Sequence, residues 1–214
     1  MTSVLPAPTV PAFFDEAPAI LVHDALAEFL GAAEGGIVEY RYADAVKLAG
    51  HSCPTVAGAF MMARAALRAL YPDPRELPER GEIRVDCRDA RDAGVTGVIA
   101  TVLGLVTGAA GDGGFRGIGG RFVRRDRLHF GQPVAHGEVR FTRLDDGRAV
   151  DASTRLDRVP GDPRMAWAMS RNLGGTAAPD EAALFRELWQ DRVRRILVDH
   201  ADDPELIAIV PVPR

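Results

Sequence analysis

Apolar positions along this chain repeat with two different periods. Ile37 to Tyr42 (IVEYRY) alternates apolar and polar as a half-buried strand does. Ile83, Val85 and Cys87 alternate with Arg84, Asp86 and Arg88 in the same way, which puts Cys87 on the inward face of a strand. Ile20, His23, Ala27 and Leu30 instead recur at helical spacing, with Asp24 and Glu28 opposite. They predict a helix over 17–31 that Gly31 ends. A short helix is expected from Ala43 to Ala49. The run from Thr55 to Leu70 is apolar on nearly every side (Val56, Ala57, Phe60, Met61, Ala63, Ala66, Leu67, Leu70), so that helix belongs in the middle of the fold.

Gly94 to Gly108 (GVTGVIATVLGLVTG) reads as a second apolar helix, although its β-branched residues lower the propensity. Strands are expected at 120–124, 128–131, 134–143 and 148–157, with Asp145-Asp146-Gly147 turning the last pair into a hairpin. Helices follow at 163–172 and 180–199, the second with Phe185, Leu188, Trp189, Arg192, Val193 and Ile196 at helical spacing, and Leu206 to Val212 closes as a strand. The Pro-rich residues 1–16 read as an extended arm packed through Phe13 and Phe14. Residues 17–214 form one domain with a C-terminal helical extension. Strands and helices mix without a βαβ rhythm, so the class is α+β, a mixed or antiparallel sheet packed with buried apolar helices.

Composition narrows the partners. With 214 residues, 47% of them apolar and 26% charged, the chain can bury a sizeable core. A net charge of −4 gives no basic face for nucleic acid. The basic cluster Arg121 to Arg127 is broken by Phe122, Val123 and Asp126 and reads as a solvated face. No segment reaches the roughly 18 apolar residues of a membrane span, and the N-terminus carries Asp15 and Glu16 rather than a basic leader. A cytoplasmic location, with Cys53 and Cys87 reduced, is the expectation.

Chemistry concentrates at Gly50-His51-Ser52-Cys53-Pro54. Proline is favoured at the first position of a helix, which makes Cys53 the N-cap, facing the positive end of the helix dipole. A thiol so placed is a better metal ligand or nucleophile. His51, two residues earlier beside Gly50, can swing its imidazole toward the sulfur, and the two together suit zinc or another late transition metal. The bland reading is a buried Cys beside a core His.

The stretch Ala49-Gly50-His51-Ser52-Cys53-Pro54, followed by VAGAFMMARAAL, resembles the signature of the FmdE family, named for one of the polypeptides of formylmethanofuran dehydrogenase. The order of strand 83–87, Ala93-Gly94-Val95, apolar helix and the glycine-rich Gly111 to Gly119 is similar too, so the likeness covers about residues 40 to 130. It implies an α+β fold, a homodimer and a metal held at His51 and Cys53, with a role in metal or cofactor handling for a redox enzyme. Ala49 stands where many members have another His. Ala93-Gly94-Val95-Thr96 stands where they have Cys-Gly-x-Asp, so the resemblance carries over only His51, Cys53 and the fold.

Further donors are scarce. His23 and Cys87 are candidates to complete the sphere, against the readings of a hydrogen-bonded core His and a buried thiol. Met61 and Met62 could offer thioethers but normally fill cores. The loop Gly111 to Gly120 follows a helix and lacks a P-loop's Gly-Lys-Ser/Thr ending, so its glycines serve backbone geometry rather than phosphate. The leading expectation is a transition-metal protein, zinc foremost, with an open coordination position for water, a substrate or a tetrapyrrole. Its rivals are a cysteine-dependent enzyme with Cys53 as nucleophile or redox thiol, a haem or small-molecule-binding module, and an interaction protein in which both residues are merely core.

Overall fold

The computed structural model describes residues 9–213. In chain order the elements are α1 (Phe13–Glu16), β1 (Ile20–His23), α2 (Ala25–Phe29), β2 (Ile37–Tyr40), α3 (Tyr42–Ala49), α4 (Pro54–Leu70), β3 (Ile83–Cys87) and α5 (Thr96–Thr107). There follow β4 (Leu128–His129), β5 (Val139–Arg143), β6 (Ala149–Thr154), α6 (Arg164–Leu173), α7 (Pro179–Arg194) and β7 (Ile207–Val212). A π-turn, Arg195–Asp199, continues α7.

Five strands form one mixed sheet in the order β4-β3-β5-β6-β7. Only β3 and β4 run parallel; the other pairs are antiparallel, with Cys87 opposite Val139 and Thr142 opposite Ala149. The chain is α+β. The β5–β6 connection is the expected hairpin: Gly147 takes φ 74°, and Arg143 N–H donates to the Arg148 carbonyl at 2.9 Å. β1 and β2 make a separate antiparallel pair.

α4 lies across this sheet against β6, β7 and α5. Its Phe60, Met61, Met62, Leu67 and Leu70 are fully buried, each contributing about 1.5–3 kcal/mol of hydrophobic stabilisation. Small residues let it approach: a Cβ on Gly58 would come within 3.1 Å of Leu156 Cδ2 and 3.3 Å of Thr154 Cγ2. α5 is also apolar and packs on α3 and α4.

Four expectations are corrected. The helix over 17–31 is instead β1 followed by the five-residue α2. Ile20 and Val22 are buried while Leu21 is exposed, a period of two that pairs with β2. Asp24 then breaks the strand by capping α2, accepting from Leu26 N and Ala27 N at 3.0 and 3.1 Å. The strand at 120–124 is absent. That segment has one bridge, Ile118 to Arg121, and Phe122 sits at φ 62°, outside the strand region. The strand expected over 134–143 begins only at Val139: residues 135–138 bend, and the His136 N–H donates to Asp151 Oδ2 at 3.1 Å rather than to a neighbouring strand's backbone. The basic cluster is not wholly solvated: Arg124 is buried and bonded to Asp24 at 2.7 Å. Of the expected arm, residues 9–16 show a one-turn helix with Phe13 and Phe14 buried, and residues 1–8 lie outside the described range.

Candidate functional site

Two helices meet at the site loop. α3 ends at Gly50, whose φ of 75° is the left-handed cap that glycine adopts without strain. The chain then passes His51 and Ser52 to Cys53, the extended N-cap of α4, with Pro54 at the first helical position. Cys53 Sγ accepts from Val56 N–H at 3.4 Å, filling the capping role that a Ser or Asp usually takes.

His51 is oriented from behind. Its Nδ1 lies 2.9 Å from the Ala49 carbonyl oxygen, which can only accept, so Nδ1 carries the proton and donates. The neutral ring then presents the Nε2 lone pair, and Nε2 faces Cys53 Sγ at 3.2 Å. His51 is exposed, and Cys53 is 8% exposed, so the pair opens to solvent from the histidine side.

The pair can be tested against a metal by its bite. Zinc bonds of about 2.3 Å to sulfur and 2.0–2.1 Å to nitrogen put two tetrahedral donors about 3.6 Å apart. The observed 3.2 Å is close enough that a small side-chain rotation suffices. The donor types, the shared direction and the backbone carbonyl behind Nδ1 all fit a metal-ligating histidine. Among the described residues, no further His, Cys, Asp or Glu joins the two into a group able to hold an ion.

The other candidates are elsewhere. His23 ends β1, where its Nδ1 hydrogen bonds to Glu79 and its Nε2 lies 3.2 Å from Glu28 Oε2. The hydrogen bond to Glu79 raises its pKa, against the opposing effect of burial. Cys87 is completely buried on β3; burial foremost, then the charges of Asp86 and Asp89, push its thiol up to about 11. Neither is brought to His51 and Cys53. Met61 and Met62 are core. His129 is bonded to Asp86 at 3.0 Å, His136 is exposed, and His200 is bonded to Asp203 at 2.8 Å.

No local sequence signal marks the support around Ser52. Tyr42, Trp189 and Gln190 all bond to it, although two of them lie nearly 140 residues downstream. A cavity of about 240 Å³ opens beside Thr55 and Ala59 of α4, bordered by Ile99 and Glu138. It lies just under the about 300–1,000 Å³ usual for ligand pockets and suits a small molecule. Among the described residues, no helix is long and apolar enough to cross a membrane. In comparisons with known proteins, no protein-family model and no curated protein matches the chain.

Proposed function

We propose that this is an FmdE-like metal-binding protein in which His51 Nε2 and Cys53 Sγ hold a transition metal, zinc foremost. The observation that carries the reading is the Ala49 carbonyl on His51 Nδ1, which fixes the tautomer and aims Nε2 at the thiol. With two protein donors the ion keeps open positions for water, a small molecule, or a group from a second copy of the chain. A metal so held supplies Lewis acidity at those positions. The chain's own residues have narrower tasks: Ala49 holds the imidazole, and Val56 N–H holds the sulfur. Metal or cofactor handling for a redox enzyme is the role this proposal assigns, with the protein acting as a homodimer.

The same 3.2 Å contact supports a second reading, a cysteine-dependent enzyme in which His51 takes the proton of the Cys53 thiol. Elemental analysis and an absorption spectrum of untagged protein separate the two, with wild type beside Cys53→Ser and His51→Ala. Stoichiometric metal that both substitutions abolish is expected. A Soret band would move the proposal to haem. Metal-free protein in every sample, even after reconstitution, would overturn it and leave the dyad.

A further inference from the structure

Ser52 stands between the two donors, and every polar group on it except its N–H is engaged from outside the loop. Its hydroxyl donates to Gln190 Oε1 at 2.9 Å. A serine has one hydroxyl proton, so the Tyr42 phenol, 3.0 Å from Ser52 Oγ, is the donor in that contact. The Ser52 carbonyl accepts from Trp189 Nε1 at 2.9 Å and from Gln190 Nε2 at 3.4 Å. These contacts fix the Gln190 amide, since a flip would set its oxygen against the Ser52 carbonyl oxygen. Burial foremost raises the Tyr42 phenol's pKa, so it remains a neutral donor through the physiological range.

The peptide plane that carries the Ser52 carbonyl also carries the Cys53 N–H. Rotating it swings the Cys53 Cα–Cβ bond and moves Sγ relative to the ring of His51. Two donors on that carbonyl, with the hydroxyl tied to the same Gln190, hold the plane in one orientation. Both anchors sit on α7, in the part of the chain beyond the FmdE-like stretch.

We infer that Trp189 and Gln190 are positioning residues for the His51–Cys53 pair: by gripping Ser52 they make Nε2 and Sγ converge, and so couple the C-terminal helix to the affinity and reactivity of the pair. The inference rests on the pair being the functional site. Its rival is that the same bonds only dock α7 on the loop.

Titration with Co(II), read by its thiolate-to-metal charge-transfer band, tests this in wild type, Gln190→Ala, Ser52→Ala and Ser52→Thr. Gln190→Ala and Ser52→Ala are expected to weaken Co(II) binding about 10-fold or more and to shift the band. Ser52→Thr, which keeps the hydroxyl, should restore both. Lowered thermal stability of the metal-free variants, with unchanged Co(II) affinity and spectrum, would overturn the inference in favour of simple docking. If wild type takes up no Co(II), the metal proposal fails by itself, and the positioning role is judged on the pH–rate profile of Cys53 alkylation by iodoacetamide. A profile altered in Gln190→Ala and Ser52→Ala but like wild type in Ser52→Thr supports it; identical profiles in all four overturn it. Should Gln190→Ala fail to fold, Trp189→Phe removes the indole donor while keeping the ring packed on Phe185.

Discussion

Arg124 donates through Nη2 to Asp24 Oδ1 at 2.7 Å, tying the end of the glycine-rich loop to the cap of α2 across 100 residues. Asp24 Oδ2 accepts from Arg80 Nη1 at 2.7 Å, while Oδ1 also caps Leu26 and Ala27. One buried carboxylate therefore answers two guanidiniums and a helix end. Gly81 leaves the room for this: a Cβ there would overlap the Arg124 guanidinium.

Asp24→Asn should accordingly be among the most destabilising single-atom changes in the chain. It leaves two positive charges with little compensation in a buried place, a situation that costs about 3–5 kcal/mol. Urea unfolding at neutral pH measures it. Burial pushes the Asp24 carboxyl up, but the hydrogen bonds from Arg80 and Ala27 and the charges of Arg124 and Arg80 outweigh it, so the net direction is down. A depressed folded pKa gives stability that is present above the unfolded value of about 3.9 and is lost as pH falls through the folded one. The gap between wild type and Asp24→Asn should therefore be constant near neutrality and close only in acid. A gap that closes between pH 5 and 8 would contradict the assignment.

His23 predicts the opposite sign. Its pKa is raised, chiefly by the Glu79 hydrogen bond, with Glu28 adding to it. A raised folded pKa contributes stability that is complete below the unfolded value, about 6.5, and fades as pH rises through the folded one. His23→Gln should cost more in unfolding free energy at about pH 5.5 than at about pH 9. An equal cost at both would show that the ring matters for packing against Gly36, where a Cβ would meet Nε2 at 2.6 Å, and not for its charge.

Legibility in the sequence followed how local each cause was. Pro54 punctuates α4, so both the helix and Cys53 as its cap can be read from adjacent residues. The same holds for the Asp-Asp-Gly turn and for the inward Ile83, Val85 and Cys87 of β3, although Asp86, expected outward, is buried as well. β1 hides in the sequence because Ile20, His23, Ala27 and Leu30 satisfy a helical period by coincidence; the competing signal is the cap at Asp24, a polar residue in the middle of the expected helix. The segment 120–124 departs from its expected strand for another reason. Its conformation is set by Arg124 plugging into the Asp24 site, a contact no window of sequence contains. His51 and Cys53 are legible as a pair because they stand two positions apart at a helix start. Their support from Trp189 and Gln190 is not, since helical spacing marks Trp189 only as facing inward and does not mark Gln190 at all.

Two glycines separate backbone strain from close approach. Gly50 has open space around a Cβ but sits at φ 75°, so Gly50→Ala pays about 1–2 kcal/mol for the left-handed conformation. Gly137 has no such φ, yet a Cβ would lie 2.5 Å from the Ala152 carbonyl oxygen and 2.9 Å from its carbon. Because those are backbone atoms, the start of β5 must move away from β6. Gly137→Ala should cost more than Gly50→Ala in urea unfolding and should speed amide exchange at Val139 and Ala152, whereas Gly50→Ala leaves that exchange unchanged. The reverse ranking would mean that the β5–β6 ladder gives way more easily than its register suggests.

The two thiols should differ sharply in reactivity. Cys87 is wholly enclosed, and its thiol is pushed up to about 11, so at neutral pH it is both inaccessible and protonated. Cys53 is buried as well but keeps 8% of its surface exposed, and its sulfur lies 3.2 Å from the exposed His51. A disulfide reagent added to native, metal-free protein should therefore titrate one thiol, and Cys53→Ser should abolish that reaction on the same timescale. Both thiols should react in urea. Cys87→Ser should leave the native titre unchanged while lowering stability by about 1–3 kcal/mol, because it buries a hydroxyl among Val85, Val139 and their neighbours. Comparable native rates at the two positions would require β3 to open readily, which its place between β4 and β5 in the sheet argues against.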